Sequence, residues 1–138
     1  MEKLSRSELR YKIMTILYQI FLYNKNKINY SVDDVIKKQM EIENNFVKET
    51  TYKVLEHQKE IDKIANKYLG TWPIERLGFT DQAILRMAIY ELLYTDTPDL
   101  VCINEAIELS KKYSDDSVSK IINGVLDKIY HSKEENEQ

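Results

Sequence analysis

Leu9, Ile13, Ile16, Leu17 and Ile20 recur at the spacing of one helical face, and no glycine or proline interrupts residues 5–24, which predicts a first helix over that stretch. Residues 24–29 are a polar connector. Ser31, with Asp34 three residues on, has the form of a capping box ahead of Val32, Val35, Ile36 and Met40, so a second, shorter helix follows. Val47, Thr50, Val54, Ile61, Ala65 and Tyr68 hold a helical register up to Gly70, whose missing Cβ suits the left-handed position past a helix end. One long third helix is expected there. Trp72 to Gly78 is a short segment in which Pro73 fits the first turn of a brief helix.

Thr80 and Asp81 are candidate caps for the next helix, and from Ala83 to Tyr94 nearly every side is apolar, as on a helix surrounded by others. This helix belongs at the centre of a bundle. Residues 96–98 stop it; Ile103, Ala106, Ile107 and Leu109 mark a further helix to about Tyr113, and Ile121, Ile122, Val125, Leu126 and Ile129 mark the last. Gly124, inside that last helix, costs about 1 kcal/mol relative to alanine and calls for close approach of another helix. Residues 132–138 have nothing to bury and read as a disordered polar tail, leaving 1–131 as one helical domain.

Composition supports this picture. A chain of 138 residues buries roughly two thirds of its unfolded surface, enough for one core without a metal or disulfide staple. Three glycines and two prolines are too few for the hairpins of a sandwich or barrel. The fold class expected is therefore all-α, a bundle of about seven helices. The single cysteine, Cys102, has no internal disulfide partner, the start of the chain lacks a signal-peptide pattern, and no apolar run approaches the twenty or so residues of a membrane span. A cytoplasmic protein without membrane contact is expected.

The search for chemistry returns little. His57 and His131 form no helical metal motif, and Cys102, beside Val101 and Ile103, reads as a small core residue. Glu105 and Glu108 are one turn apart, but Lys111 and Lys112 follow and make surface ion pairs the simpler reading. Glycine-rich phosphate loops and a nucleophile elbow are absent. No catalytic residue, metal or cofactor is assigned, and a non-enzymatic role is expected.

With a net charge of −3, any nucleic-acid site has to be a local patch. Lys3, Arg6 and Arg10 fall at i, i+3 and i+7 on one side of the first helix with Lys12 nearby, against two anions, Glu2 and Glu8. Cations at a helix start oppose its macrodipole, which a phosphate bound at the free N–H groups would reverse. Tyr11 and Tyr18 are candidate stacking surfaces for unpaired bases, although such tyrosines more often pack inward.

The second half carries Trp72-Pro73-Ile74-Glu75-Arg76-Leu77, then residues 81–92, Asp-Gln-Ala-Ile-Leu-Arg-Met-Ala-Ile-Tyr-Glu-Leu. Ile103-Asn104-Glu105-Ala106-Ile107-Glu108-Leu109 and Asn123-Gly124-Val125-Leu126-Asp127 follow. These four blocks, in order and spacing, resemble the NusB family of bacterial transcription antitermination factors. Arg6, Arg10 and Leu17-Tyr18-Gln19 resemble the start of the family's first helix, while residues 25–60 match only in helical pattern. The resemblance implies two packed helical subdomains and binding of the boxA element of ribosomal RNA leader transcripts. It also implies a partner, the ribosomal protein NusE, within an antitermination complex on RNA polymerase.

It further implies that Lys3, Arg6 and Arg10, with Lys12 beside them, contact RNA, that Tyr18 and Asp81 meet NusE, and that Asp116 lies near that surface in a loop over 114–119. Two departures stand out: Glu8 interrupts a thin basic segment, and Ile121 occupies a position where relatives often place an aromatic. Weak RNA binding by the isolated protein, made adequate by joint binding with the partner, is the expectation. A helical protein–protein adaptor without direct RNA binding is the alternative. A tyrosine- and isoleucine-rich helix surface serves a homodimer as well as a core, so monomer and homodimer both stay open.

Overall fold

The computed structural model describes residues 3–137, among which seven α-helices and one 3₁₀ turn account for the regular structure. In chain order these are α1 (Arg6–Lys25), α2 (Val32–Gln39), α3 (Asn45–Glu56), α4 (Gln58–Leu69), the 3₁₀ turn Ile74–Arg76, α5 (Phe79–Tyr94), α6 (Asp99–Tyr113) and α7 (Asp116–Glu137). Glu2, one of the two anions set against the basic segment, lies outside the described residues.

Helix α1 packs on α2 and α3 to form one subdomain; α4, α6 and α7 surround α5 to form the other; the two meet where α1 lies along α5. The buried face of α1 is the expected one, Leu9, Ile13, Ile16, Leu17 and Ile20, with Met14 and Phe21 added. Helix α5 is buried from Gln82 through Leu92, so it does occupy the centre of the bundle. Even its polar side chains, Gln82, Arg86 and Glu91, have almost no access to water.

These buried polar groups are all bonded. Arg86 Nε and Nη2 donate to the two carboxylate oxygens of Asp62 on α4, at 2.7 and 2.9 Å, and Arg86 Nη1 donates to Gln82 Oε1 at 2.9 Å. The guanidinium also lies 4.5 Å from the ring centroid of Phe21 on α1. Gln82 Nε2 in turn donates to the carbonyl of Leu77 at 2.7 Å, fixing the end of the 3₁₀ turn against α5. A bidentate pair of this kind sets direction as well as energy.

Four elements differ from the sequence expectation. The single long third helix is broken at His57, which ends α3 and begins α4. Val47, Thr50, Thr51 and Val54 are the buried residues of α3, which packs on α1 and α5, and Ile61 and Ala65 those of α4, which packs on α5 and α7. His57 stacks at the break on Tyr94, ring centroids 4.3 Å apart. Asp81 does not cap α5: Gly78 holds the cap position and Asp81 stands in the first turn, where a carboxylate complements the helix dipole.

Gly124 has open space where a Cβ would stand, so no helix approaches it, and nothing in the packing explains it. The tail expected to be disordered from 132 continues α7 through Glu137. Lys133 is the reason: its ammonium donates to the carbonyl of Leu92 near the end of α5 and to Asp99 in the first turn of α6, both at 2.7 Å. Cations are favoured at helix C-termini because free carbonyls collect there.

Asp62→Ala leaves the Arg86 charge buried without its counterion, and denaturant unfolding is expected to show a loss of about 3–5 kcal/mol. Replacing both, Arg86→Met with Asp62→Leu, is expected to recover most of that loss; a double variant as unstable as the single one would show that the pair is not what the site requires.

Candidate nucleic-acid and partner interface

The start of α1 is built by Ser5 and Glu8. Ser5 Oγ accepts from the backbone N–H of Glu8 at 3.1 Å and donates to Glu8 Oε1 at 3.2 Å, a capping arrangement at the helix entry. Glu8, which interrupts the basic segment in sequence, therefore has a structural job. It also brings a carboxylate to the end where an anion would otherwise meet free N–H groups, so a ligand phosphate here depends on side-chain cations more than on the helix terminus.

Of the four cations expected on this surface, Lys3 and Arg6 are exposed and Lys12 is half-buried. Lys3 precedes the helix and Arg6 is its first residue. The Arg6 guanidinium rests over the ring of Phe46, 4.0 Å from its centroid, which holds the charge at the surface at low entropic cost.

Arg10 departs from the expectation. It is only 4% exposed, and its Nε and Nη2 donate to the two carboxylate oxygens of Glu91 on α5, each at 2.8 Å. Glu105 on α6 lies 3.9 Å from Arg10 Nη1. The Glu91 hydrogen bond outweighs burial and pushes the Arg10 pKa further up, so the guanidinium stays charged throughout the pH range in which the protein folds. Arg10 is four residues on from Arg6, only about 40° around the axis but one turn, about 6 Å, further along, where Glu91 of α5 stands opposite. Arg10 is thus withdrawn from the phosphate-facing set.

Glu105 is likewise not a solvated surface acid. Ser7 Oγ lies 2.8 and 2.9 Å from its two oxygens as their donor, which ties the first turn of α1 to the middle of α6. Glu108 remains exposed. Cys102 lies under the same network, 2% exposed, with its Sγ 3.8 Å from the carbonyl of Thr97. Burial pushes its thiol up to about 12, with Glu91 adding to the effect. A protonated buried thiol makes a poor nucleophile.

The three residues expected to meet a partner gather at the other end of α1. Tyr18, partly exposed, stands edge-on to Phe79 at a centroid separation of 6.2 Å. Phe79 opens α5, and two residues on, Asp81 accepts a hydrogen bond from the Ser114 hydroxyl. Asp116, expected in a loop, is the first residue of α7, two positions beyond Ser114, and is exposed. Lys25 reaches back over Phe79, 5.7 Å from the ring centroid, and borders an open recess of about 440 Å³ lined by Glu75, Arg76, Leu77, Gly78 and Gln82.

Phe79, Lys25, Phe46 and Tyr113 are the neighbours that sequence reasoning missed. Phe79 carried a signal, an aromatic beside a glycine at the entry to an apolar helix; Phe46 carried none. Tyr113 stacks on Tyr11, ring centroids 5.2 Å apart. Among the described residues no group of three or more His, Cys, Asp or Glu is arranged to hold a metal ion, and no helix is long and apolar enough to cross a membrane.

Fold and surface together define a class: an all-α protein of two packed helical subdomains that meet along α1 and α5, with exposed cations at the start of α1 and aromatic and acidic side chains beside its second half. The sequence pattern of the NusB family matches residues 7–131. The transcription antitermination protein NusB of Macrococcus caseolyticus is 40% identical over 132 residues, covering 94% of this chain and 99% of that protein. The structure of T. maritima NusB superposes with a TM-score of 0.82 at 29% identity, over 99% of this chain and 100% of that one. A crystal structure of the antitermination factors NusB and NusE in complex with dsRNA contains a chain similar at a TM-score of 0.77 and 27% identity, covering 92% and 96% of the two chains. This chain belongs to the NusB family.

Two predictions follow from the division between Arg6 and Arg10. Arg10→Ala strands Glu91 and is expected to cost about 3–5 kcal/mol in urea unfolding, whereas Arg6→Ala changes stability by no more than about 1 kcal/mol; equal losses would remove the distinction. For Cys102, a folded-state pKa raised above the unfolded value contributes stability below the unfolded pKa, and this is lost as pH rises toward 12. Iodoacetamide at pH 8 is expected to label Cys102 only in unfolded protein, with rapid labelling of the native state counting against the burial.

Proposed function

We propose that this protein is a transcription antitermination factor that binds boxA-type RNA of ribosomal RNA leader transcripts together with NusE, in a cytoplasmic complex on RNA polymerase. It acts by binding, without catalysis. The observation that carries the reading is the layout of α1: Lys3, Arg6 and Lys12 at or near its start, and Tyr18 near its end against the Phe79–Asp81 corner. One rigid helix thereby offers a phosphate-facing end and a partner-facing end.

Lys3, Arg6 and Lys12 are assigned to the RNA phosphates, and Tyr18, Asp81 and Asp116 to the partner. Arg10 acts behind this surface by holding α1 on α5 through Glu91. Support for the reading comes from the naming of the Macrococcus relative and from the similarity to a NusB chain solved with NusE and dsRNA. With the basic set reduced to three, RNA affinity rests on the joint surface made with the partner.

Each neutralised phosphate of a single strand contributes about −0.7 to the slope of log affinity against log salt, so three contacts predict a slope near −2, reduced in size by about 1.4 in a Lys3→Ala, Arg6→Ala variant. Titration of a short boxA-like RNA in the presence of NusE at several salt concentrations measures it. A slope near zero, with NusE still captured, would leave the protein an adaptor that does not touch RNA.

A further inference from the structure

We infer that Tyr11 and Tyr113 form a stacking platform for one unpaired base of the bound RNA, a reading that rests on the proposed RNA-binding function. The two rings come from different helices, α1 and the last residue of α6, and meet at a centroid separation of 5.2 Å with planes 32° apart. Both remain open to solvent, Tyr11 at 37% and Tyr113 at 46%. Met14, one turn on from Tyr11, and Leu109 and Ser110, one turn before Tyr113, are buried in their own right. The core beneath is therefore closed by those residues, and the tyrosines lie over it with faces to spare.

Position gives the pair its ligand. Along α1, Ser7, Tyr11 and Tyr18 lie on one stripe, and each is engaged by a different residue across the groove: Glu105, Tyr113 and Phe79. Along the axis of α1 the platform thus lies between its start, where Lys3 and Arg6 are exposed, and the corner assigned to the partner, with Arg6 itself on the α3 side over Phe46. A strand that runs from the first to the second along the α6 side of α1 passes over it. Tyr11 is about 10 Å along the helix from Tyr18, a distance of two to three nucleotides at most.

The local charge also selects the mode of binding. Lys12, Lys111 and Lys112 stand beside the two rings in sequence, and Glu8, Glu108 and Asp115 stand as close, with Glu8 held by Ser5. Charge here is nearly balanced, so the attraction comes from the ring faces. Any base has a π-face, and stacking on tyrosine needs no sequence match. Ile121 offers no such face, and the Tyr11–Tyr113 pair supplies one at a different point of the same surface.

The test is a titration of a boxA-like single-stranded RNA, with NusE present, against wild type, Tyr113→Leu, Tyr11→Leu, Tyr113→Phe and Arg6→Ala, with helical content measured for each. Leucine keeps apolar cover and removes the π-face. The platform predicts affinity about tenfold lower for Tyr113→Leu and Tyr11→Leu with an unchanged salt slope, and near wild-type affinity for Tyr113→Phe. One abasic position in the RNA should weaken wild type by a similar factor and leave Tyr113→Leu unaffected.

Wild-type affinity in folded leucine variants would overturn the platform while leaving RNA binding intact. An unaltered Arg6→Ala affinity and slope would instead remove the phosphate contact and leave the platform standing. Loss of NusE capture by the leucine variants, with RNA binding alone unchanged, assigns the rings to the protein partner and overturns the inference. No RNA binding by wild type in any condition overturns the function and the platform together.

Discussion

Two charges buried on one helix organise this structure. Helix α5 is enclosed along its middle, yet it carries Arg86 and Glu91 with almost no access to water. An isolated charge in such an environment costs several kcal/mol, and the penalty falls only when an opposite charge arrives in good geometry. Asp62 comes from α4 and Arg10 from α1, each in a two-bond arrangement with its partner. A fork meeting a carboxylate tolerates little rotation or sliding. The pairs therefore fix how the surrounding helices stand on the central one, which apolar contact alone would leave looser.

The register of α1 follows, and with it the surface. With Arg10 drawn against Glu91 and Ser7 against Glu105, Arg6 is left pointing outward over Phe46, and Tyr11 and Tyr18 are left along the groove facing Tyr113 and Phe79. The same helix that closes the core between the two subdomains carries the residues assigned to both ligands. Its inward charges make it rigid, and its outward ones are few. A thin set of phosphate contacts on a chain of net charge −3 favours a surface completed by a second protein over strong RNA binding by one chain.

Much of the fold was legible because it depends on local rules. Ser31 caps α2 through the N–H of Asp34, Gly70 takes the left-handed φ of 74° after α4, and the apolar run of α5 marks a helix with neighbours on every side. The family resemblance assigned Tyr18, Asp81 and Asp116 to a partner surface; in the fold Tyr18 stands against Phe79, Asp81 bonds Ser114, and Asp116 begins α7 two residues on. The failures were nonlocal. The break at His57 answers to two different neighbours of α3 and α4, and the helical tail answers to Lys133 reaching the ends of α5 and α6.

The sequence by itself determined the helices, the central place of α5 and the family, because periodicity, capping and motif order are properties of neighbouring residues along the chain. Only the tertiary structure decided which cations stay at the surface. Arg6 and Arg10 are the same residue type, four positions apart on one helix, and the difference between them lies in what stands opposite: a phenylalanine ring at the surface for one, a buried carboxylate for the other. A charge goes where its counterion is, and the counterion of Arg10 is 81 residues away in the chain.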